Sequence, residues 1–362
     1  MIEDGLAEEP APGGGSTEEV DVYGEFQREA LRVAGLGEEA GSGNGDRPAR
    51  PAGTPSAGTP AEASRARGGA HAIAHAGARS GRKLKVVLDG GNGMAGPMVG
   101  PLLERMQIEL IETYWQPDGE FPDHEPNPLL EENRQAIIER VRASGADLGI
   151  AWDGDADRCF FIDERGEFVD GDFLTALLAR ALLEKHPGES ILYDVRASRA
   201  VPDTVTAAGG RPFVNRVGHA FFKRRMRAEG ALFGGEVSGH YYFRDFYCAD
   251  SGTLPALLIL EMLRSGERSL SDHLRPLRER YFISGEINSE VSDQEAKMRE
   301  IAERYADAEQ STLDGISIDY ADWHFNVRPS NTEPLLRLCL ESLRSREDME
   351  RRRDEVLELI RS

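Results

Sequence analysis

From Lys83 onward the sequence alternates short apolar runs with segments of helical period, and that alternation constrains the fold more than any other feature. "LKVVL" (Leu84 to Leu88) reads as a buried strand. "DGGNGMAG" follows as a glycine turn, and Met98, Leu102, Leu103 and Met106 then recur at helical spacing. The order repeats: "IELIETYW" runs as a strand into a proline-rich loop, a helix follows from about Glu132 to Ala143, and Asp147 to Trp152 reads as another strand. Such ordering predicts α/β domains with mostly parallel sheets. A hairpin turning at Glu164 to Gly166 and a helix from Phe173 to Leu183 come next. "SILYDVRASRAVPDTVTAAGG" then echoes the strand, aspartate and helix of "KVVLDGGNGMAGPMVGPLLERM", which predicts two related three-layer α/β units. From about Phe282 the pattern changes to strands, a charged helix, a hairpin and a closing helix, a separate α+β domain. The expected divisions are therefore 1–82, 83–165, 166–278 and 279–362.

The first 82 residues differ, holding 16 of the 39 glycines and few large apolar side chains. Such a segment buries too little surface to offset its ordering entropy, so it is expected to be a disordered tether. "TEEVDVYGEFQREALRVAG" is the exception, because Val22, Phe26, Ala30 and Val33 recur as on one face of a short helix. A net charge of −21 argues against binding nucleic acid or an anionic membrane surface. No window is long and apolar enough for a membrane span, and the acidic N-terminus lacks the parts of a signal peptide, so a cytoplasmic location is expected. Cys159, Cys248 and Cys339 are odd in number and far apart, which suggests neither a disulfide framework nor a zinc site.

"AWDGDADRCFFID" places Asp153, Asp155 and Asp157 at alternate positions between two apolar runs. Two unit charges ~4 Å apart repel by about 4 kcal/mol at an effective dielectric near 20, so a cation is expected among them. The loop follows a strand, and the carboxyl ends of strands are where ligands bind in open α/β sheets. A calcium EF-hand wants glycine where Arg158 stands and a continuing loop where "CFFI" forms a strand. A haloacid-dehalogenase-type phosphatase, with Asp153 as nucleophile and Asp155 as acid, usually carries Thr or Val at the position of Asp157. A solvated acidic turn does not explain carboxylates packed between buried strands. The favoured reading is a Mg²⁺ site with open positions for a phosphate oxygen and Arg158 beside it.

Three further loops carry polar groups. In "FGGEVSGHYYF", Glu236 and Ser238 lie two apart, as side chains on one side of an extended loop would, and suit neighbouring sugar hydroxyls; His240 follows. "WHFNVRPSNTEPLLRLCLE" has alternating Trp323, Phe325 and Val327, then Leu336, Leu338 and Leu340, so two strands flank "RPSNTEP". At that tip Arg328, Ser330, Asn331 and Thr332 could cradle a phosphate, with Arg337 adding charge. "NRVGHAFFKRRM" puts His219, a candidate for proton transfer, where a helix begins, and Arg196, Arg199, Arg216 and Lys223 supply scattered positive charge.

Taken together, "DGDADR", "VGHAFFK", "GGEVSGH" and "RPSNTEP" closely resemble the α-D-phosphohexomutase superfamily, and most nearly its bacterial phosphomannomutase/phosphoglucomutase members, over about Lys83 to Ser362. The resemblance implies Mg²⁺ on Asp153, Asp155 and Asp157, and sugar contacts from Glu236 and Ser238. It also implies phosphate contacts from Arg328, Ser330, Asn331 and Thr332, and a transfer centre at Arg158 and His219, with Arg196 where many members have lysine. It implies the isomerase and phosphotransferase chemistry of a phosphoprotein: a phosphoserine gives its phosphoryl group to a hexose monophosphate, and the bisphosphate turns over and returns the other one. The superfamily carries that serine in a first domain, in a loop of the type Thr-Ala-Ser-His-Asn-Pro, and no Ser-His-Asn-Pro occurs in this sequence. Three expectations follow: a mutase whose serine is missing from this chain, a partner of a separate serine-bearing domain, or a non-catalytic sugar-phosphate-binding protein.

Overall fold

In the computed structural model, which describes residues 22–36, 83–330 and 333–362, the apolar runs become three five-stranded sheets. The tether expected over the rest of 1–82 lies outside the described residues, as do Asn331 and Thr332. The short helix expected there forms as α1 (Tyr23–Ala34), ended by Gly35 in the left-handed conformation.

The first sheet holds β1 (Lys85–Asp89), β2 (Glu109–Thr113), β3 (Leu148–Trp152), β4 (Cys159–Asp163) and β5 (Phe168–Val169), ordered β2-β1-β3-β4-β5. Helices α2 (Ala95–Leu103) and α3 (Gln135–Ser144) flank it. The second sheet holds β6 (Ser190–Asp194), β7 (Arg211–Asn215), β8 (Phe233–Gly235), β9 (Tyr241–Phe243) and β10 (Ala249–Asp250), ordered β10-β9-β8-β6-β7. Its helices are α4 (Gly171–Lys185), α5 (Ala200–Ala207), α6 (His219–Glu229), α7 (Thr253–Ser265) and α8 (Leu270–Arg278). Read from β2 and from β7, the two orders are the same, with three parallel strands at one side and an antiparallel pair at the other. The echo between the two sequences is thus a repeated topology. β5 completes the first sheet past position 165, because the returning arm of the Glu164 to Gly166 hairpin pairs with β4.

These two units share their largest core, and each keeps a smaller apolar cluster of its own. Val86, Leu88 and Trp152 of the first sheet join Phe233 and Tyr241 of the second, with α4 and α7 between them and Ala30 and Ala34 of α1 packed in. The common apolar interior fixes the two sheets relative to each other. All three cysteines are buried and unpaired.

The third sheet holds β11 (Phe282–Glu290), β12 (Glu309–Ser311), β13 (Ile316–Asp319), β14 (Trp323–Pro329) and β15 (Leu335–Ser342), antiparallel throughout. One face presents Trp323, Phe325, Val327, Leu336, Leu338 and Leu340 to a core that includes Ile301 of α9 (Gln294–Arg304) and Val356 of α10 (Arg346–Arg361). Side chains alternate along a strand, so the opposite face carries His324, Asn326, Arg328, Arg337, Cys339 and Glu341. That polar face meets the second unit: Ser198 Oγ donates to Glu341, and Arg199 N donates to Glu341 Oε1 at 3.2 Å. No helix among the described residues is long and apolar enough to cross a membrane.

Candidate active site

Asp153 follows β3 directly, and Glu236 follows β8 directly. The acidic loop and the glycine-rich loop therefore stand at corresponding strand ends of the two repeated units. Their precursors correspond too: Asp89 at the end of β1 accepts Gly91 N at 2.9 Å, and Asp194 at the end of β6 accepts Arg196 N at 2.8 Å.

The acidic loop is clamped by close backbone contacts. Met94 N donates to Gly154 O at 2.9 Å, and Ala156 takes a left-handed φ of 61°. From the second unit, Gly252 O accepts the buried Trp152 Nε1 at 3.0 Å. A side chain at Gly252 would meet Ala156 O at 2.6 Å and Arg158 O at 2.7 Å, so only glycine lets the two backbones approach this far. The loop brings one carboxylate oxygen each of Asp153, Asp155 and Asp157 within 4.8 Å of one another. Burial raises Asp153 above the ordinary carboxylate range although Arg158 opposes it. Asp157 is raised by burial and by repulsion from Asp155. Desolvated, mutually repelling hard oxygens are what a divalent cation relieves, and the set fits one. Arg158 donates from Nε to Asp153 Oδ2 at 2.5 Å and from its backbone N to Oδ1 at 3.1 Å.

The two loops meet. Arg158 and His240 form an antiparallel bridge, and His240 Nε2 lies 3.8 Å from Asp157 Oδ1. The glycine-rich loop is not extended but turns tightly, with Gly239 N donating to Glu236 O at 3.0 Å and Glu236 N to His240 O at 3.0 Å. Glu236 is consequently buried, its Oε1 accepting Gly218 N at 2.6 Å and its Oε2 accepting Tyr242 Oη at 2.6 Å. Burial and the nearby Asp194 raise its pKa. The accessible polar rim here is Ser238 and His240, whose Oγ and Nδ1 are 3.2 Å apart. Burial and Arg158 push His240 down to about 4, so it is neutral at neutral pH. His219 opens α6 beside it, largely exposed, with ring centroids 5.6 Å apart.

At the third sheet, Arg196, Arg328 and Arg337 converge on one carboxylate. Glu286 Oε2 accepts Arg196 Nη1 at 3.1 Å and Arg328 Nη2 at 3.3 Å, and Oε1 accepts Arg337 Nη1 at 2.9 Å. Arg196 also grips Asp194 through Nε and Nη2 at 3.0 and 2.8 Å. Burial would lower its pKa, but the attraction of Asp194 and Glu286 outweighs that and raises it. Arg337 Nη2 reaches Ser330 Oγ at 3.4 Å. The Nε atoms of Arg328 and Arg337 are buried with no partner among the described residues, which leaves donors for an anion.

Arg158, His219 and His240 thus gather with the aspartates and the Glu236 loop, while Arg196 gathers with Arg328, Ser330 and Arg337. Asp194 joins the two groups, since its Oδ2 also accepts Val237 N at 2.9 Å. Sequence reasoning passed over Asp194, Asp250 and Glu286. The matching positions of Asp89 and Asp194 after echoed strands were the available signal for Asp194. For Glu286 there was none, because a bulge between Ile283 and Glu286, with Gly285 at φ 70°, decides which way it faces.

Family models match three successive stretches: the phosphoglucomutase/phosphomannomutase alpha/beta/alpha domain II at residues 69–166, domain III at 170–281 and the C-terminal domain at 286–359. The chain belongs to the phosphoglucomutase/phosphomannomutase family. It is 45% identical over 282 residues to a protein of Xanthomonas campestris pv. campestris (strain B100) named for phosphohexose mutases, covering 77% of this chain and 63% of that one. To a phosphomannomutase of Escherichia coli (strain K12) it is 45% identical over 266 residues, covering 72% and 58% respectively. A crystal structure of a phosphoglucomutase/phosphomannomutase family protein from Burkholderia thailandensis superposes with a TM-score of 0.74 at 29% identity, covering 96% of this chain and 66% of that one. The chain therefore spans less than two thirds of the length of these relatives. Members of this family use a metal ion, and the acidic triad is a set that could hold it here.

Proposed function

We propose that this chain supplies the metal, sugar and phosphate sites of a phosphohexomutase, which interconverts hexose 1-phosphate and 6-phosphate through a bisphosphate. The carrying observation is the unbroken run of contacts from the aspartate loop through Arg158, His240 and Glu236 to Asp194, Arg196 and the arginine cluster at Glu286. Curated relatives named phosphomannomutase and phosphohexose mutases share that stretch.

In this reading Asp153, Asp155 and Asp157 hold Mg²⁺, which when bound offsets negative charge on phosphoryl oxygens. Arg158 lies beside that charge, and Ser238 and His240 face the sugar while Glu236 orients their loop. His219 is placed to move a proton to or from a sugar hydroxyl. Arg328, Arg337 and Ser330, with Asn331 and Thr332, take the phosphate that is not transferring, and Arg196 fixes the seam beside them. The serine that donates the phosphoryl group comes from outside residues 83–362, in the same polypeptide or in a separate one. A cytoplasmic location suits substrates of this class.

Calorimetric titration of the purified 362-residue chain with glucose 1-phosphate and mannose 1-phosphate, with and without Mg²⁺, tests the proposal. Mg²⁺-dependent binding is expected that is lost in Arg328→Ala, with no turnover until a serine-bearing domain from a relative is added. Absence of binding, or binding indifferent to Arg328, refutes it.

A further inference from the structure

We infer that His219, His240 and Asp250 form a binding site for a late first-row divalent cation such as Zn²⁺, separate from the aspartate triad. One ring nitrogen of each imidazole and one oxygen of Asp250 lie within 4.8 Å of one another. His219 Nδ1 and Asp250 Oδ2 are 3.6 Å apart, close to the roughly 3.3 Å between ligand atoms around a tetrahedral zinc. The remaining closure falls to His219, whose side chain is 61% exposed and free to swing.

The frame behind these groups is fixed. His219 is the first residue of α6, His240 directly precedes β9, and Asp250 ends β10, which pairs with β9 through Tyr242. Second contacts orient the ligands as in built metal sites. Ser238 Oγ lies 3.2 Å from His240 Nδ1, a partner that can accept a proton held there and leave the lone pair of Nε2 for a metal. Lys223 Nζ engages only Oδ1 of Asp250, at 2.8 Å, and leaves Oδ2 turned to His219.

Ligand chemistry separates the two sites. Three carboxylates suit Mg²⁺, whereas two imidazoles and one carboxylate suit Zn²⁺, Cu²⁺ or Ni²⁺. The sites adjoin through Asp157 and His240, so a late metal would occupy the ring-facing side of the cleft. That it would then exclude a sugar phosphate rests on the phosphohexomutase reading; the metal site itself does not.

The test uses the full chain carrying His71→Ala and His75→Ala, which removes the two histidines outside the described residues, in saturating Mg²⁺. Cu²⁺ is the spectroscopic probe, and Zn²⁺ affinity is read by equilibrium dialysis. Electron paramagnetic resonance is expected to show coupling to two imidazole nitrogens, falling to one in His219→Ala. Zn²⁺ affinity is expected to drop about tenfold or more in His219→Ala and in Asp250→Asn, and to be unchanged in Asp155→Asn. An all-oxygen spectrum, a two-nitrogen coupling that survives His219→Ala, or absence of Zn²⁺ binding in saturating Mg²⁺ would each overturn the inference. If sugar phosphate fails to bind while the two-nitrogen signal appears, the mutase reading falls and the metal site stands.

Discussion

Arg196 Nη1 donates to Glu286 Oε2 at 3.1 Å across the seam between the second and third sheets. Glu286 is the counter-anion for three guanidinium groups, and in its absence they repel one another. Glu286→Gln is expected to destabilise the chain by about 1.5–3 kcal/mol, the range for hydrogen bonds to charged groups. Inorganic phosphate should restore more of the lost melting temperature than it adds to the parent. Thermal melts across a phosphate titration check this; equal phosphate responses would show that the arginines do not form an anion cradle.

Stability should fall as pH rises from about 4 to about 7. Burial raises Asp172 and Glu341 to about 7, so between the ordinary carboxylate range and pH 7 the folded state holds protons that the unfolded state has released. Their penalty is absent below the ordinary carboxylate range and complete above about pH 7. His324, pushed down to about 4 by burial and by Arg199, works the other way, adding stability as pH climbs to its ordinary value. Glu341→Gln removes one carboxyl and should flatten the decline between about pH 4.5 and about pH 7 by on the order of 3 kcal/mol. Denaturant melts at several pH values measure it, and an unchanged slope contradicts the assignment.

Asp155 is the exposed member of its triad. Asp155→Asn removes one of three mutually repelling charges, so the metal-free chain should melt at or slightly above the parent temperature. In Mg²⁺ the order should reverse. A cation at about 100 times its Kd stabilises by about 2.7 kcal/mol, and the variant should lose most of that. Calorimetry in Mg²⁺ and in chelator decides; a variant still stabilised like the parent would place the cation elsewhere.

Gly252→Ala puts a methyl group against Ala156 O and Arg158 O. Overpacking of this kind costs about 1–3 kcal/mol, and the atoms it strikes belong to the aspartate loop, which is expected to shift. Weaker Mg²⁺ binding is therefore expected alongside lower stability, by melting and titration. Loss of stability with intact Mg²⁺ affinity would show that the second unit yields instead.

Much of this was legible in the sequence for a physical reason. Alternation of Trp323, Phe325 and Val327 against Leu336, Leu338 and Leu340 fixes a hairpin whatever surrounds it, because one face must be dry. Asp153, Asp155 and Asp157 announce a cation through their own repulsion. What escaped depended on geometry that local composition does not encode. Glu236 and Ser238, spaced as on an extended loop, part company in a tight turn that buries the first and leaves the second at the rim. His324, Asn326 and Glu341, interleaved in the last hairpin, carried no signal of their own, yet they lie on a largely buried polar seam that faces the second unit. Glu286 faces the arginines by virtue of one extra residue in its strand.

Charge and directional bonds cross that seam, with Ile283 and Leu343 packing against the second unit beside them. Ser198 and Arg199 on Glu341, and Arg196 on Glu286, all tie rigid strand or turn positions on one side to a single sheet on the other. Sliding the sheet by a bond length severs them together, whereas a greasy contact would yield by degrees. An anion arriving among the arginines would therefore compete with the very carboxylate that ties the last domain to the second unit.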